Sequence, residues 1–373
     1  MNNIIFFKPA RQTENIGDLL INLVEVELLR PFGQIVVDDI SAPAWFVDEI
    51  STSPTDQRLS KVSGVPLLKT LYSLLSKQLF SSKKNRYYLF IQPGHTSRTG
   101  SESAVSNFRI NAKMLMLKMM GCRIVRIGFS IGPFDNYNAW AESFGSQAYH
   151  YYAVRDNESL KIAQKYSFKK PEYFPDLAWA YAPEKIQREQ TEEYAVISMR
   201  SNAFGKEHNS AYLQPLIEKF RELLINTNQQ SLKIVVTYQV KYDEEASRQI
   251  FEGLKNEFNV EFIDSKLTLQ DANRIYGSAK FIVSNRLHVL LLALKCGALS
   301  FPLVDQKDNT KITSIFQDNN LKDLILDVKD DSKTNSDKLA EGIANTEKVM
   351  AEFKNIQAKN KKVIQDKLAG VFK

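Results

Sequence analysis

Cysteine and histidine are scarce in this 373-residue chain, with two of the first and four of the second. Cys122 and Cys296 each sit in an apolar neighbourhood without metal-ligand spacing, which excludes a disulfide framework and a Cys/His zinc site. Two buried free thiols suit a reducing compartment. No phosphate-binding glycine loop and no acidic metal cluster is present, so no metal or bound cofactor is expected. Long apolar runs are also missing. Nothing approaches the ~20 residues that cross a bilayer, and Met1 to Lys8 is too short and insufficiently basic for a secretion signal. A cytoplasmic protein is expected, with a peripheral place at the inner membrane face as its second reading. The net charge of +6 is mild and spread along the chain. Without a dense basic tract or a recognition motif, nucleic acid is not an expected partner. That balance does suit a phosphate-bearing ligand or an anionic membrane surface.

What remains is ordinary globular material, 43% apolar and 25% charged. The length exceeds what one hydrophobic core usually organises, so two domains are expected. Short apolar runs alternate with amphipathic segments from end to end, the pattern of parallel α/β sheets. In the first half the runs are at 4–7, 34–39, 87–91, 123–129 and 149–154. In the second they are at 194–199, 233–238, 260–263, 281–283 and 300–304, with helices expected near 211–226, 243–257, 268–277 and 287–296. A charged stretch at 182–192 reads as the linker. The expected division is a Rossmann-like domain over 1–185, a second over 190–330, and a C-terminal extension over 331–373 read as one long, mostly exposed helix.

The central stretch is 279–297, AKFIVSNRLHVLLLALKCG. It reads as a buried strand, a polar turn with Ser284 or Asn285 as helix cap, and an apolar helix stopped by Gly297. Arg286 and His288 then fall in the first helical turn, at the carboxyl end of a strand. Free N–H groups and the helix dipole favour an anion there; the plainer account is pairing with a neighbouring carboxylate. Arg155 occupies the same kind of place after 149–154, where it either grips the same anion from the other half or pairs with Asp156 or Glu158. An Arg fork suits phosphate or carboxylate.

Near the start, Asn15 and Asp18 flank Gly17, which permits a tight turn or a close backbone approach. His95 lies in an expected loop at 92–100, either as a contact to a substrate hydroxyl or as a solvated loop residue. The leucine stripe at 67–79 reads first as the core face of a domain helix and second as a lipid-touching face.

Taken in order, Asn15-Ile16-Gly17-Asp18, Gly132-Pro133, Arg155-Asp156 with Ser159, Pro175-Asp176, Gln239 with Asp243, and Arg286-Leu287-His288 with Ala293 and Gly297 resemble the polysaccharide pyruvyl transferase family. Where many members carry a run of glycines, this chain has Gln92-Pro93-Gly94-His95. The resemblance implies two Rossmann-like α/β domains facing a cleft (GT-B-like). It also implies transfer of the enolpyruvyl unit of phosphoenolpyruvate, as co-substrate, to sugar hydroxyls as a ketal. The acceptor is then a glycan or lipid-linked oligosaccharide of capsule or exopolysaccharide biosynthesis. Arg155 and Arg286 suit the donor's two anionic groups, with Lys311 as a further contact and His288 as the proton-transfer group. Asn15, Asp18 and His95 fall on the acceptor side. Two other readings stay open: a nucleotide-sugar glycosyltransferase of the same fold, and a catalytically inert scaffold in surface-glycan assembly.

Overall fold

A computed structural model describes residues 2–10, 12–82, 84–183, 193–201 and 209–373. The chain forms two compact units. One comprises Met1–Thr13, Asp18–Leu177 and Asn360–Lys373; the other comprises Glu14–Gly17 and Ala178–Lys359.

The first unit holds an eight-stranded sheet, with β1 (Asn3–Lys8), β2 (Gln34–Val37), β3 (Gln57–Arg58), β4 (Arg86–Ile91), β5 (Gly94–Arg98), β6 (Arg123–Phe134), β7 (Tyr149–Val154) and β8 (Glu172–Tyr173). Its order is β3-β2-β1-β4-β6-β7-β8, with β5 paired to β6, and every described pairing is parallel. Helices cover a parallel sheet on both faces, which is why its central strands are near-continuous apolar runs such as Ile5-Phe6-Phe7, wholly buried here. The helices are α1 (Ile16–Leu29), α2 (Ala44–Ile50), α3 (Leu59–Val62), α4 (Leu67–Leu79), α5 (Ser101–Met119), α6 (Asn136–Ser146) and α7 (Asn157–Lys165).

The second unit has β9 (Tyr194–Ser198), β10 (Lys233–Val236), β11 (Val260–Phe262), β12 (Phe281–Ser284), β13 (Leu299–Val304) and β14 (Leu326–Asp327) in the order β11-β10-β9-β12-β13-β14. Counted within the unit this is 3-2-1-4-5-6, the doubly wound Rossmann order. Between the strands run α8 (Ser210–Asn226), α9 (Glu244–Leu254), α10 (Leu269–Ser278), α11 (Leu287–Cys296) and α12 (Thr310–Asp318). Then follow α13 (Ser332–Ala344) and the 26-residue α14 (Thr346–Val371). The expected α/β class with two parallel sheets is therefore present. Gly297 ends α11 in the left-handed conformation, φ 95°, as its position suggests.

Several local expectations need correction. Part of the expected loop at 92–100 is strand β5, and β6 continues through Gly132-Pro133 to Phe134. β6 is long because it carries two neighbours: β4 pairs with residues 123–126 and β5 with 129–134. The leucine stripe of α4 is core, as first read, as far as Leu75, whereas Leu79 at its end is 70% exposed. Leu67, Leu71 and Leu75 are buried with Phe6, Leu89 and Leu117, and Leu68 and Leu74 pack against them. The units divide at Leu177, ahead of the expected linker, of which residues 184–192 lie outside the described residues.

The extension past 330 is neither one helix nor a separate body. It breaks at Asn345, and its last fourteen residues belong to the first unit. There Phe372 stacks on Phe32 at 4.5 Å between centroids and 3° between planes, and lies 4.6 Å from Tyr88 and 5.9 Å from Phe90. Phe372→Ala is expected to lower the unfolding free energy by about 3–5 kcal/mol in a denaturant titration. A loss below about 1 kcal/mol would mean that this ring does not complete the core.

Candidate active site

The second sheet reverses its winding between β9 and β12, the switch point at which ligands of doubly wound folds bind, beyond the carboxyl ends of the strands. Ser198 of β9 pairs with Ser284 of β12. Two residues past each stand Arg200 and Arg286. Four hydrogen bonds fix the strand ends against each other and position the turn. Ser284 Oγ donates to the Ser198 carbonyl at 2.5 Å and accepts from Arg286 N–H at 3.0 Å. Asn285 Oδ1 accepts from Arg200 N–H at 2.8 Å while its Nδ2 donates to the Arg200 carbonyl at 2.9 Å. Ser284 and Asn285 are thus not the caps that their position suggests. Arg286 is the N-cap of α11, and no side chain caps that helix. The positive end of a ten-residue apolar helix is left to whatever lies beside it.

The side chains gather positive charge in a desolvated corner. Arg286 forms an ion pair with Asp243, the two side chains being only 10% and 3% exposed. Its guanidinium also lies 5.5 Å from the Tyr242 ring centroid. Burial disfavours charge on Arg286, but the Asp243 carboxylate outweighs it and the pKa is raised. Burial lowers the pKa of Arg200, and the nearby Arg286 cation lowers it further. Burial also raises the pKa of Asp243, against the pull of Arg286 and Arg200. One carboxylate therefore faces two guanidinium groups. Among the described residues, Arg200 Nε, Arg286 Nε and Arg286 Nη2 are buried without a hydrogen-bond partner; the Arg286–Asp243 contact is close but not aligned as one. Buried donors of this kind ordinarily have acceptors. Two cations, idle donors and an uncapped helix start are the features that an anion would complement.

His288 follows in the first turn of α11 and is buried. A methyl group on Gly17 would lie 2.4 Å from His288 Nδ1 and 2.7 Å from its Cβ, so only glycine allows this ring its place. Gly17 N–H in turn donates to Asn15 Oδ1 at 2.9 Å, which places Asn15 as the residue that shapes the start of α1. Gly17 thus serves a close approach. Arg200 is the residue that sequence reading left without a role. The available signal was its position: it ends the strand that a Rossmann order puts beside the one ended by Arg286. Tyr212 Oη accepts from Asn309 Nδ2 at 3.3 Å, and the expected contact Lys311 lies two residues beyond Asn309 in the first turn of α12.

Arg155, Asp18 and His95 belong to the first unit. Arg155 is fully buried. Its Nη1 donates to Asp176 Oδ2 at 2.7 Å and its Nε to Ser130 Oγ at 2.8 Å, while Ser130 Oγ donates to Asp156 Oδ2 at 2.6 Å. This guanidinium has no exposed surface and a carboxylate beside it, and its bonds tie strand ends together. Asp156, expected as one of its ion-pair partners, is the N-cap of α7 and accepts from Ser159 N–H at 2.7 Å. His95, on exposed β5, bonds through Nε2 to the Gly132 carbonyl at 2.6 Å. Asp18 lies in the first turn of α1, where its carbonyl accepts from Asn22 Nδ2 at 2.7 Å.

A profile of the polysaccharide pyruvyl transferase family matches residues 15–303, from the Asn15 turn to β13. The chain belongs to that family. It is accordingly a transferase by descent. No curated protein matches the sequence significantly. Among solved structures it is similar to a glycosyltransferase from Rickettsia africae at 10% identity and a TM-score of 0.62, over 100% of this chain and 97% of that one. It is similar to the UDP-GlcNAc 2-epimerase of Neisseria meningitidis at 10% and 0.56, over 99% and 100%. An α,α-trehalose-phosphate synthase from Burkholderia vietnamiensis is similar at 11% and 0.56, over 100% and 98%. At such identities the likeness shows the fold alone, and the fold is GT-B-like.

Removing Arg155 takes from buried Asp176 the cation of its ion pair. Arg155→Ala is expected to cost about 3–5 kcal/mol of stability, measured by denaturant unfolding. A variant as stable as the parent would return Arg155 to the list of ligand contacts.

Proposed function

We propose that this pyruvyl transferase moves the enolpyruvyl carbon skeleton of phosphoenolpyruvate to hydroxyls of a glycan, or of its lipid-linked precursor, as a ketal. The observation that carries the reading is the pair of half-buried arginines at the switch point that share a single carboxylate, Asp243. Phosphoenolpyruvate bears a phosphate and a carboxylate, and Arg200 and Arg286 each offer a planar fork for one of them. The N–H groups that open α11 add donors for a phosphate oxygen, and Lys311 is a further anion contact. No bound cofactor or metal is required by this chemistry.

The reaction protonates the methylene carbon, which leaves an oxocarbenium-like centre at C2. One sugar hydroxyl adds there, the C2–phosphate oxygen bond breaks, and a second hydroxyl closes the ketal. Of the two hydroxyl protons released, one balances the new methyl group and the other leaves with phosphate. His288, beside Arg286, is the group assigned to carry a proton between hydroxyl and methylene carbon, a task suited to imidazole. Asn15, Asp18 and His95 are assigned to the acceptor side. Arg155 is assigned to positioning.

Thermal stabilisation by ligand tests the donor, because a compound that binds only the folded state raises stability by about 2.7 kcal/mol at 100 times its dissociation constant. Phosphoenolpyruvate is expected to shift the melting temperature of the parent and not of Arg200→Ala or Arg286→Ala. A shift produced by nucleotide sugars alone would instead make this a glycosyltransferase. His288→Ala should keep the phosphoenolpyruvate shift and lose about 10²–10⁴-fold in kcat. Gly17→Ala, which drives a methyl into His288, should reproduce that split between retained binding and lost turnover; normal turnover in both variants would remove His288 from the proton path.

A further inference from the structure

Among the described residues, thirteen large hydrophobic side chains are exposed, and eight of them fall on the end of α4, on α5 and on α6. Scattered surface apolar groups are normal, but this concentration is not. Four of them line most of a pocket of about 290 Å³, whose walls are Ser101, Ala104, Val105 and Phe108 of α5 and Tyr137 and Trp140 of α6. Phe108 stacks on Trp140 at 5.6 Å and 12° and on Phe144 at 4.7 Å, so the floor is a rigid aromatic plate while Tyr137 and Trp140 stay 70% and 62% exposed. Ser101, the Tyr137 hydroxyl and the Trp140 indole N–H are the side-chain hydrogen-bonding groups in the wall, few for a glycan.

The other four extend the same face. α4 and α5 run the same way, since each leads directly into one of the parallel strands β4 and β6. They touch where Tyr72 Oη donates to the Lys113 carbonyl at 2.9 Å. Leu79 and Phe80, about two turns beyond Tyr72, therefore fall near the level of Met116 and Met119, one to two turns beyond Lys113. Phe80 is 92% and Met119 74% exposed.

Charge decides the occupant. α5 carries exposed Arg109 and Lys113 and half-buried Lys118 against one exposed acid, Glu102. The acid of α6, Glu142, is buried on Arg98, and Asp135 at its N-cap is held by the N–H groups of Gly100 and Asn138. Lys169 adds a like charge beside Lys118. A two-fold dimer through this face would set cations against cations, whereas an anionic lipid surface complements them. Exposed Trp and Tyr at the rim suit the boundary between headgroups and chains. We propose that the α5–α6 face of the first unit docks on a bilayer of anionic phospholipid, with its aromatic pocket receiving an acyl chain. The inference stands apart from the donor reading and does not depend on it.

The test is co-sedimentation of the full chain with phosphatidylcholine vesicles, with and without phosphatidylglycerol. Binding is expected to require phosphatidylglycerol and to fall at high salt. It should drop about tenfold in Tyr137→Ser/Trp140→Ser and in Arg109→Glu/Lys113→Glu, since apolar burial and charge both contribute. Thermal melts of both variants should stay near the parent. Brominated acyl chains should quench tryptophan fluorescence in the parent and lose most of that effect in Trp140→Phe. Equal retention on neutral and anionic vesicles would overturn the proposal. So would anionic binding that both double variants leave intact, or a dimer in solution that Trp140→Ser dissolves.

Discussion

Two half-buried guanidinium groups that share one carboxylate are the constraint on which the second unit turns. Such an arrangement is costly in an empty protein, because charges taken out of water are compensated only by close opposite charge and well-made hydrogen bonds. Here the burial and mutual repulsion of Arg200 and Arg286 are offset in part by Asp243, and several donors stay idle. The scaffold tolerates this because the cations sit at strand ends locked by Asn285 and Ser284, so neither backbone can retreat toward solvent alone. In the proposed reading, a dianionic or trianionic small molecule turns that imbalance into affinity.

The same corner explains why residues far apart in the sequence appear together in the family pattern. Gly17 matters through the imidazole of His288, which would meet any side chain at that position. Asn15 holds the turn that presents Gly17. Asp243 matters through Arg286. Pro175-Asp176 and Arg155-Asp156 form a second such set in the first unit, where the buried Arg155–Asp176 pair and the Ser130 bridge bind strand ends into one piece. One set faces a ligand in the proposed reading, and the other is masonry.

How much of this was legible beforehand follows from range. The five strands and four helices expected in the second unit lie within a few residues of β9 to β13 and α8 to α11, because each is announced by local signals such as a short apolar run, a cap or a glycine stop. Gly297 and the helix beginning at Leu287 are cases where one residue's preference settles a boundary. What sequence could not supply was lateral pairing. Arg155 and Arg286 occupy equivalent places in the pattern, yet the partner of each is set by which strand lies alongside. For Arg286 that neighbour ends in Arg200; for Arg155 the neighbouring chain brings Asp176. Strand β5 was missed for a related reason. Its residues, Gly94-His95-Thr96-Ser97-Arg98, have little apolar character, and pairing with the long β6 makes them a strand.

The stacking of Phe372 in the first unit has a consequence for biogenesis. Domains in a growing chain ordinarily fold as they emerge, the earlier before the later. Here the earlier-made unit lacks its closing segment, 360–373, until the whole of the second unit has been synthesised. Phe32, Tyr88 and Phe90 must wait with an unfilled apolar surface while roughly half the protein is still being made. Completion of the first unit therefore follows synthesis of the second.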